Sequence, residues 1–201
     1  MQLKKYFLLI LGISLWFSIS AQVPEKAEDI NPLLVGEKIP HAILQDGNGQ
    51  NINLYASLKN KPTVLVFYRG GWCPYCNKQL SGLEEIEQDI IDMGYQIIAI
   101  SPDDYKNLQP IPDKEDMNYQ LYSDPEGKLI QDMGLAFQTS SKMESYIAKK
   151  NQKGTISSVI PVPAVMIVNT DREILFEYIN PNYKQRMSGE MLLAVLKTLK
   201  I

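Results

Sequence analysis

The clearest signal along this chain is where its apolar residues fall. "PTVLVFY" (62–68) and "YQIIAIS" (95–101) are continuous and rich in β-branched residues, the pattern of strands buried on both faces. Between them Leu80, Leu83, Ile86, Ile90 and Met93 recur at steps of three and four, with Glu84, Glu85, Gln88 and Asp89 filling the opposite face. That spacing predicts one amphipathic helix over 74–93, opened by Pro74 and stopped by Gly94. Strand, helix and strand in this order make a βαβ unit with two parallel strands.

Upstream, "HAILQDGNGQNINL" (41–54) places two short apolar patches around Asp46-Gly47-Asn48-Gly49, which predicts an N-terminal β-hairpin. Downstream, "AVMIVN" and "ILFEYI" predict strands about the turn "TDRE". "SGEMLLAVLKTLK" predicts a last helix with Leu192, Val195, Leu196 and Leu199 on one face. Residues 103–160 are less regular. They predict a helix within 103–117, a strand at 120–123, a helix over 125–133 and a polar, partly helical excursion over 138–158, read as solvated, with a lid or partner surface as the alternative. The result is an α/β architecture with a central mixed sheet flanked by helices.

Its length of 201 residues, 45% of them hydrophobic, suits one domain with a substantial core. The opening "MQLKKYFLLILGISLWFSISAQ" alters the picture of where that domain works. Two lysines precede an apolar run from Tyr6 to Ile19, and the small residues Ser18, Ser20 and Ala21 follow, as in a secretory signal peptide cut near Ala21. The run is shorter than the roughly 20 residues of a membrane span, so membrane attachment would come only through an uncleaved leader. Residues 1–21 are thus read as a signal peptide, 22–33 as a Pro-containing linker and 34–201 as the domain. The leader has the bacterial pattern and implies a periplasmic or secreted protein. The net charge is −3, which advertises no nucleic-acid surface.

Both cysteines of the chain lie in "FYRGGWCPYC" (67–76). A strand ending at Tyr68 and a helix starting at Pro74 put Cys73 at the N-cap and Cys76 at the third helical position. Residues three apart share a helix face, so their sulfurs can form a disulfide. As a staple it would close a tiny loop, giving little of the ~3 kcal/mol expected of a 15-residue one. A helix N-terminus favours a thiolate, and Arg69 can add to that effect. A thiolate attacks peroxides and disulfides, and a second thiol one turn away resolves the product. Zinc lacks ligands, since His41 is the only histidine. A Cu(I) dithiol with Met166 as third ligand is a weaker alternative. This reading needs no cofactor and no metal.

Two further residues bear on the site. Trp72 can pack over the sulfurs or simply belong to the core. Pro163 opens a strand expected beside the one leading to Cys73, and a cis Val162–Pro163 bond there would present backbone acceptors to a partner chain. Asp103, Asp104, Asp113, Asp116 and Asp124 read as solvated turn residues.

"LLVGEKIPHAILQDGNGQNINL", "PTVLVFYRGGWCPYCNKQL", "IIAIS", "LYSDPEG" and "VPAVMIVNTDREILFEYI" resemble, in order, the landmarks of the peroxiredoxins of the alkyl hydroperoxide reductase/thiol-specific antioxidant family, in its branch with a CxxC motif. The resemblance implies a thioredoxin-like fold and reduction of hydroperoxides with electrons from a thioredoxin-like or other dithiol reductant. Reduction of protein disulfides is the alternative. The peroxiredoxin PxxxTxxC pattern, aligned on "FY" without gaps, puts Arg69 at the proline, Cys73 at the threonine and Cys76 at the attacking cysteine. The family's arginine ahead of its later strand is absent here. Thioredoxin-like sites instead use the first cysteine, here Cys73, as attacker. The less buried N-cap position also favours Cys73.

Overall fold

The computed structural model describes residues 22–108, 119–151 and 153–199. The leader reading on residues 1–21, most of the helix expected within 103–117, and Asp113 and Asp116 lie outside them.

A seven-stranded mixed sheet runs in the order β2-β1-β5-β4-β3-β8-β9. These strands are β1 (Ile43–Gln45), β2 (Asn51–Asn53), β3 (Thr63–Phe67), β4 (Gln96–Ser101), β5 (Gln120–Ser123), β8 (Ala164–Val168) and β9 (Ile174–Ile179). β3, β4 and β5 are mutually parallel, whereas β8 runs antiparallel to β3 with Phe67 opposite Ala164. The predicted hairpin pairs Leu44 with Ile52. The Asp46 carboxylate accepts the backbone N–H groups of Asn48 and Gln50 in its loop.

All five residues of β3 are buried because each face of the strand serves a separate core. Val64 and Val66 face the cysteines, Leu80, Leu83 and the last helix. Leu65 and Phe67 face Leu54, Leu58, Leu129 and Met166. The first core lies under α2 (Pro74–Glu85), α3 (Glu87–Asp92) and α6 (Gly189–Thr198). The second is closed by α1 (Leu54–Leu58) and α4 (Lys128–Asp132).

Four expectations need correction. The helix expected over 74–93 breaks at Ile86, whose N–H donates to Leu83 rather than to the residue four back. That residue is Gly82, and a Ser-Gly pair is a common cause of such a break. The segment 22–33 is a packed strap rather than a free linker. Val23, Ile30 and Leu33 join the second core, and Gln138 donates to the carbonyls of Val23 and Pro24. Asn31 passes so close to Gly134 that a side chain there would strike its carbonyl. The excursion over 138–158 is anchored rather than solvated. Strands β6 (Ala136–Gln138) and β7 (Val159–Pro161) form a second, two-stranded sheet, and α5 (Ser141–Lys150) leaves and returns between them. Finally, α1 begins at Leu54, the last residue of the stretch read as the hairpin.

Candidate active site

Backbone shape, set by sequence, presents the cysteines. After β3 the chain turns through Gly70, whose φ of 137° is open mainly to glycine. A Cβ there would collide with the Trp72 indole and lie 2.7 Å from Asp103 Oδ1. The Cys73 N–H closes this turn on the Gly70 carbonyl at 3.1 Å. Cys73 is the N-cap of α2, with extended dihedrals and Pro74 in the first helical position, where its missing N–H costs nothing. Cys76 follows on the same face. Both sulfurs are free thiols in this structure.

The two sulfurs are electrostatically unequal. Cys73 is lowered to about 6, chiefly because the Cys76 thiol donates a hydrogen bond to it; burial opposes this shift, and Arg69 and Arg186 reinforce it. Cys76 is pushed well above the ordinary thiol range by burial and by its thiolate neighbour, although Arg186 Nη2 sits 3.4 Å from its Sγ. The pair therefore shares one proton, held on Cys76.

Arg69 is 4% exposed and reaches Cys73 Sγ at 3.9 Å. Its guanidinium lies 4.2 Å from the Tyr183 ring centroid and 4.9 Å from that of Trp72, and donates to Met143 Sδ at 3.1 Å. No carboxylate of the described residues pairs with it. A buried cation without a carboxylate is expensive, and the anion placed to compensate it is the Cys73 thiolate. Cys73 is 1% exposed against 0% for Cys76, so the N-cap sulfur is itself buried, roofed by Trp72 and the α5 side chains. Tyr146 of α5 packs edge-on to Trp72 at 6.0 Å, so Trp72 does cover the site. A groove of about 300 Å³ lined by Trp72, Tyr75, Met143, Tyr146 and Tyr183 ends on Cys73.

Asp103 is likewise corrected from solvated to buried. Its Oδ2 accepts the Gly71 N–H at 2.7 Å and its Oδ1 the Asn151 amide at 2.9 Å, which ties α5 to the cysteine loop. Burial raises its carboxyl to about 6. Asp104 and Asp124 are also buried. Pro163 is buried beside the end of β3, but its peptide bond is trans, and its carbonyl accepts the Asn180 N–H. Met166 belongs to the core on the other face of the sheet from the sulfurs. Sequence reading missed Arg186 altogether. It arrives from the loop between β9 and α6, held by the Tyr183 carbonyl and Gln79, and only its basic character in a polar stretch hinted at it.

Residues 35–176 match the AhpC/TSA family model. The chain belongs to this family. It is 30% identical over 159 residues to peroxiredoxin bcp1 of Schizosaccharomyces pombe, covering 75% of this chain and 82% of that protein. Peroxiredoxin Bcp of Escherichia coli K12 is 26% identical over 117 residues, covering 58% and 74%. In fold, the AhpC/TSA chain is similar to peroxidoxin BcpB of Mycobacterium tuberculosis, with a TM-score of 0.63 at 19% identity, covering 83% of this chain and 98% of that one. It is also similar to reduced Prx3 of Vibrio vulnificus in complex with H2O2, with a TM-score of 0.69 at 16% identity, covering 83% and 97%. The fold is thioredoxin-like, and as a peroxiredoxin-like member of its family the protein is a thiol-dependent oxidoreductase.

Proposed function

We propose that this protein is an exported peroxiredoxin that reduces hydroperoxides through Cys73 and resolves the product with Cys76. The observation that carries this reading is the unequal pair: Cys73 lowered to about 6 beside Arg69, and a protonated Cys76 beside it. In the first step the Cys73 thiolate attacks the peroxide's terminal oxygen; an S–O bond forms, the O–O bond breaks, the transferred oxygen keeps its hydrogen as the sulfenic acid, and the alkoxide or hydroxide leaves and takes a proton from water. In the second, Cys76 gives up its proton and attacks the Cys73 sulfenic sulfur, releasing water and forming the Cys73–Cys76 disulfide. A thioredoxin-like dithiol then returns two electrons.

The test is single-turnover oxidation of the reduced protein followed by the fluorescence of Trp72 and its neighbours. Micromolar peroxide oxidises the wild type far faster than free cysteine, and Cys76→Ser accumulates a trappable sulfenic acid at Cys73. Oxidation no faster than free cysteine sinks the peroxidase reading, and rapid reduction of a protein disulfide in the same preparation would replace it. Sulfenic acid at Cys76 in Cys73→Ser would transfer the attacking role. Export is tested by osmotic-shock fractionation with N-terminal sequencing; a mature chain starting at Gln22 supports it, and Met1 in the cytoplasmic fraction rejects it.

A further inference from the structure

A second groove, of about 340 Å³, lies on the other side of the first turn of α2, between that helix and the loop leading into α6. It meets the groove at Cys73 at Tyr75, which lines both. Lys78, Lys184 and Arg186 line the second groove, and Arg69 and Lys142 the first; neither has a carboxylate among its lining residues. This is a chain with 23 acidic against 20 basic residues. None of these five cations forms an ion pair with a carboxylate of the described residues. Between them stand Tyr75 and Tyr183, 39% and 37% exposed and packed edge to face at 5.6 Å. The N-terminus of α6, capped by Ser188, adds its partial positive charge to the second groove.

We infer that the two grooves together are the docking site for the protein dithiol that reduces the Cys73–Cys76 disulfide, and that this partner carries carboxylates beside its redox loop and an apolar residue that meets Tyr75 and Tyr183. The inference rests on the Cys73–Cys76 redox cycle proposed above. Two features favour a polypeptide. The grooves form one continuous track past the helix N-terminus, and exposed aromatics rimmed by charges of one sign are the make-up of a protein interface with electrostatic selection.

The exchange balances as follows. A partner thiolate attacks Cys73, the sulfur that lines a groove, and the Cys73–Cys76 bond breaks. Cys76 leaves as a thiolate beside Arg186 and takes up one proton. The partner's second thiolate attacks its own sulfur in the mixed disulfide, which releases Cys73 as a thiolate and leaves the partner oxidised.

The experiment uses the oxidised full-length protein and three reduced peptides with the same Cys-Gly-Pro-Cys centre, flanked by Glu, Gln or Lys, with rates expressed per thiolate. At low ionic strength the expected order is Glu above Gln above Lys, with about tenfold or more between the extremes. The gap closes near 1 M salt, where screening acts over roughly 3 Å. Joint Lys78→Glu and Lys184→Glu substitution should shrink or reverse the order. Rates equal within about twofold, a Lys peptide that reacts fastest, or an order unmoved by charge reversal each overturn the inference. Peroxide oxidation of the wild-type dithiol is measured alongside. If peroxide reacts but the peptides show no charge order, this inference falls alone. If peroxide does not react, the peroxidase reading falls, and the peptide order on chemically oxidised protein still decides the docking site.

Discussion

The hydrogen bond from the Cys76 thiol does most to hold Cys73 down at about 6, ahead of the arginines. A hydrogen bond to a charged group contributes about 1.5–3 kcal/mol, and 1.36 kcal/mol corresponds to one pH unit. Cys76→Ala, which removes the donor, should therefore move the Cys73 titration up by roughly one to two pH units. At pH 7 the thiolate fraction would fall from roughly nine tenths to between a half and a tenth. Cys76→Ser keeps an O–H donor at the same place and should leave Cys73 at about 6. The assay is thiolate ultraviolet absorbance against pH, with iodoacetamide alkylation rates as a second readout. The alkylation rate of Cys73 should rise with pH through its titration and level off above it. If Cys73 in Cys76→Ala still titrates at about 6, the arginines and the helix N-terminus carry the effect. If Ser moves the titration as far as Ala, the hydrogen bond is not its cause.

Burial holds Asp103 at about 6, above its unfolded value of roughly 3.9, so its favourable contribution is complete below about pH 4 and is lost as pH rises through about 6. Urea midpoints should fall between pH 4.5 and 7, on the order of 1–3 kcal/mol from this group, and Asp103→Asn should flatten that slope; an unchanged slope refutes it. Gly70→Ala, forced into the Trp72 indole at a φ that alanine avoids, should cost more than about 2 kcal/mol or abolish fast peroxide oxidation. Wild-type melting and kinetics in that variant would refute the steric account.

The frame of the site was legible because local rules govern it. The β3 run, Pro74 after Cys73 and the α2 periodicity each depend on a few neighbouring residues, and together they place the sulfurs at a helix N-terminus. The features that roof and charge the site depend on distant ones. Arg186 meets Cys76 across 110 positions, through a loop whose path is fixed by packing of α6. Helix α5 presents only Ile147 as a buried residue, so its sequence reads as solvated, and its real partners are Arg69, Trp72 and Asp103. The aspartates misled because Asp and Asn favour turns by composition, whereas Asp103 is kept by two specific donors that no local pattern shows.

If the chain is exported as proposed, the packed strap sets an order of events. Val23 and Pro24 already have their carbonyls engaged by Gln138, so the fold begins with no slack two residues past the bond at which a leader would be removed. Backbone held by hydrogen bonds and burial resists cleavage. Under that proposal, removal of the leader and docking of residues 22–33 would compete for the same stretch of chain: trimming would come first, or the strap would lift again to admit the peptidase. A polar spacer inserted after Gln22 would relax that ordering.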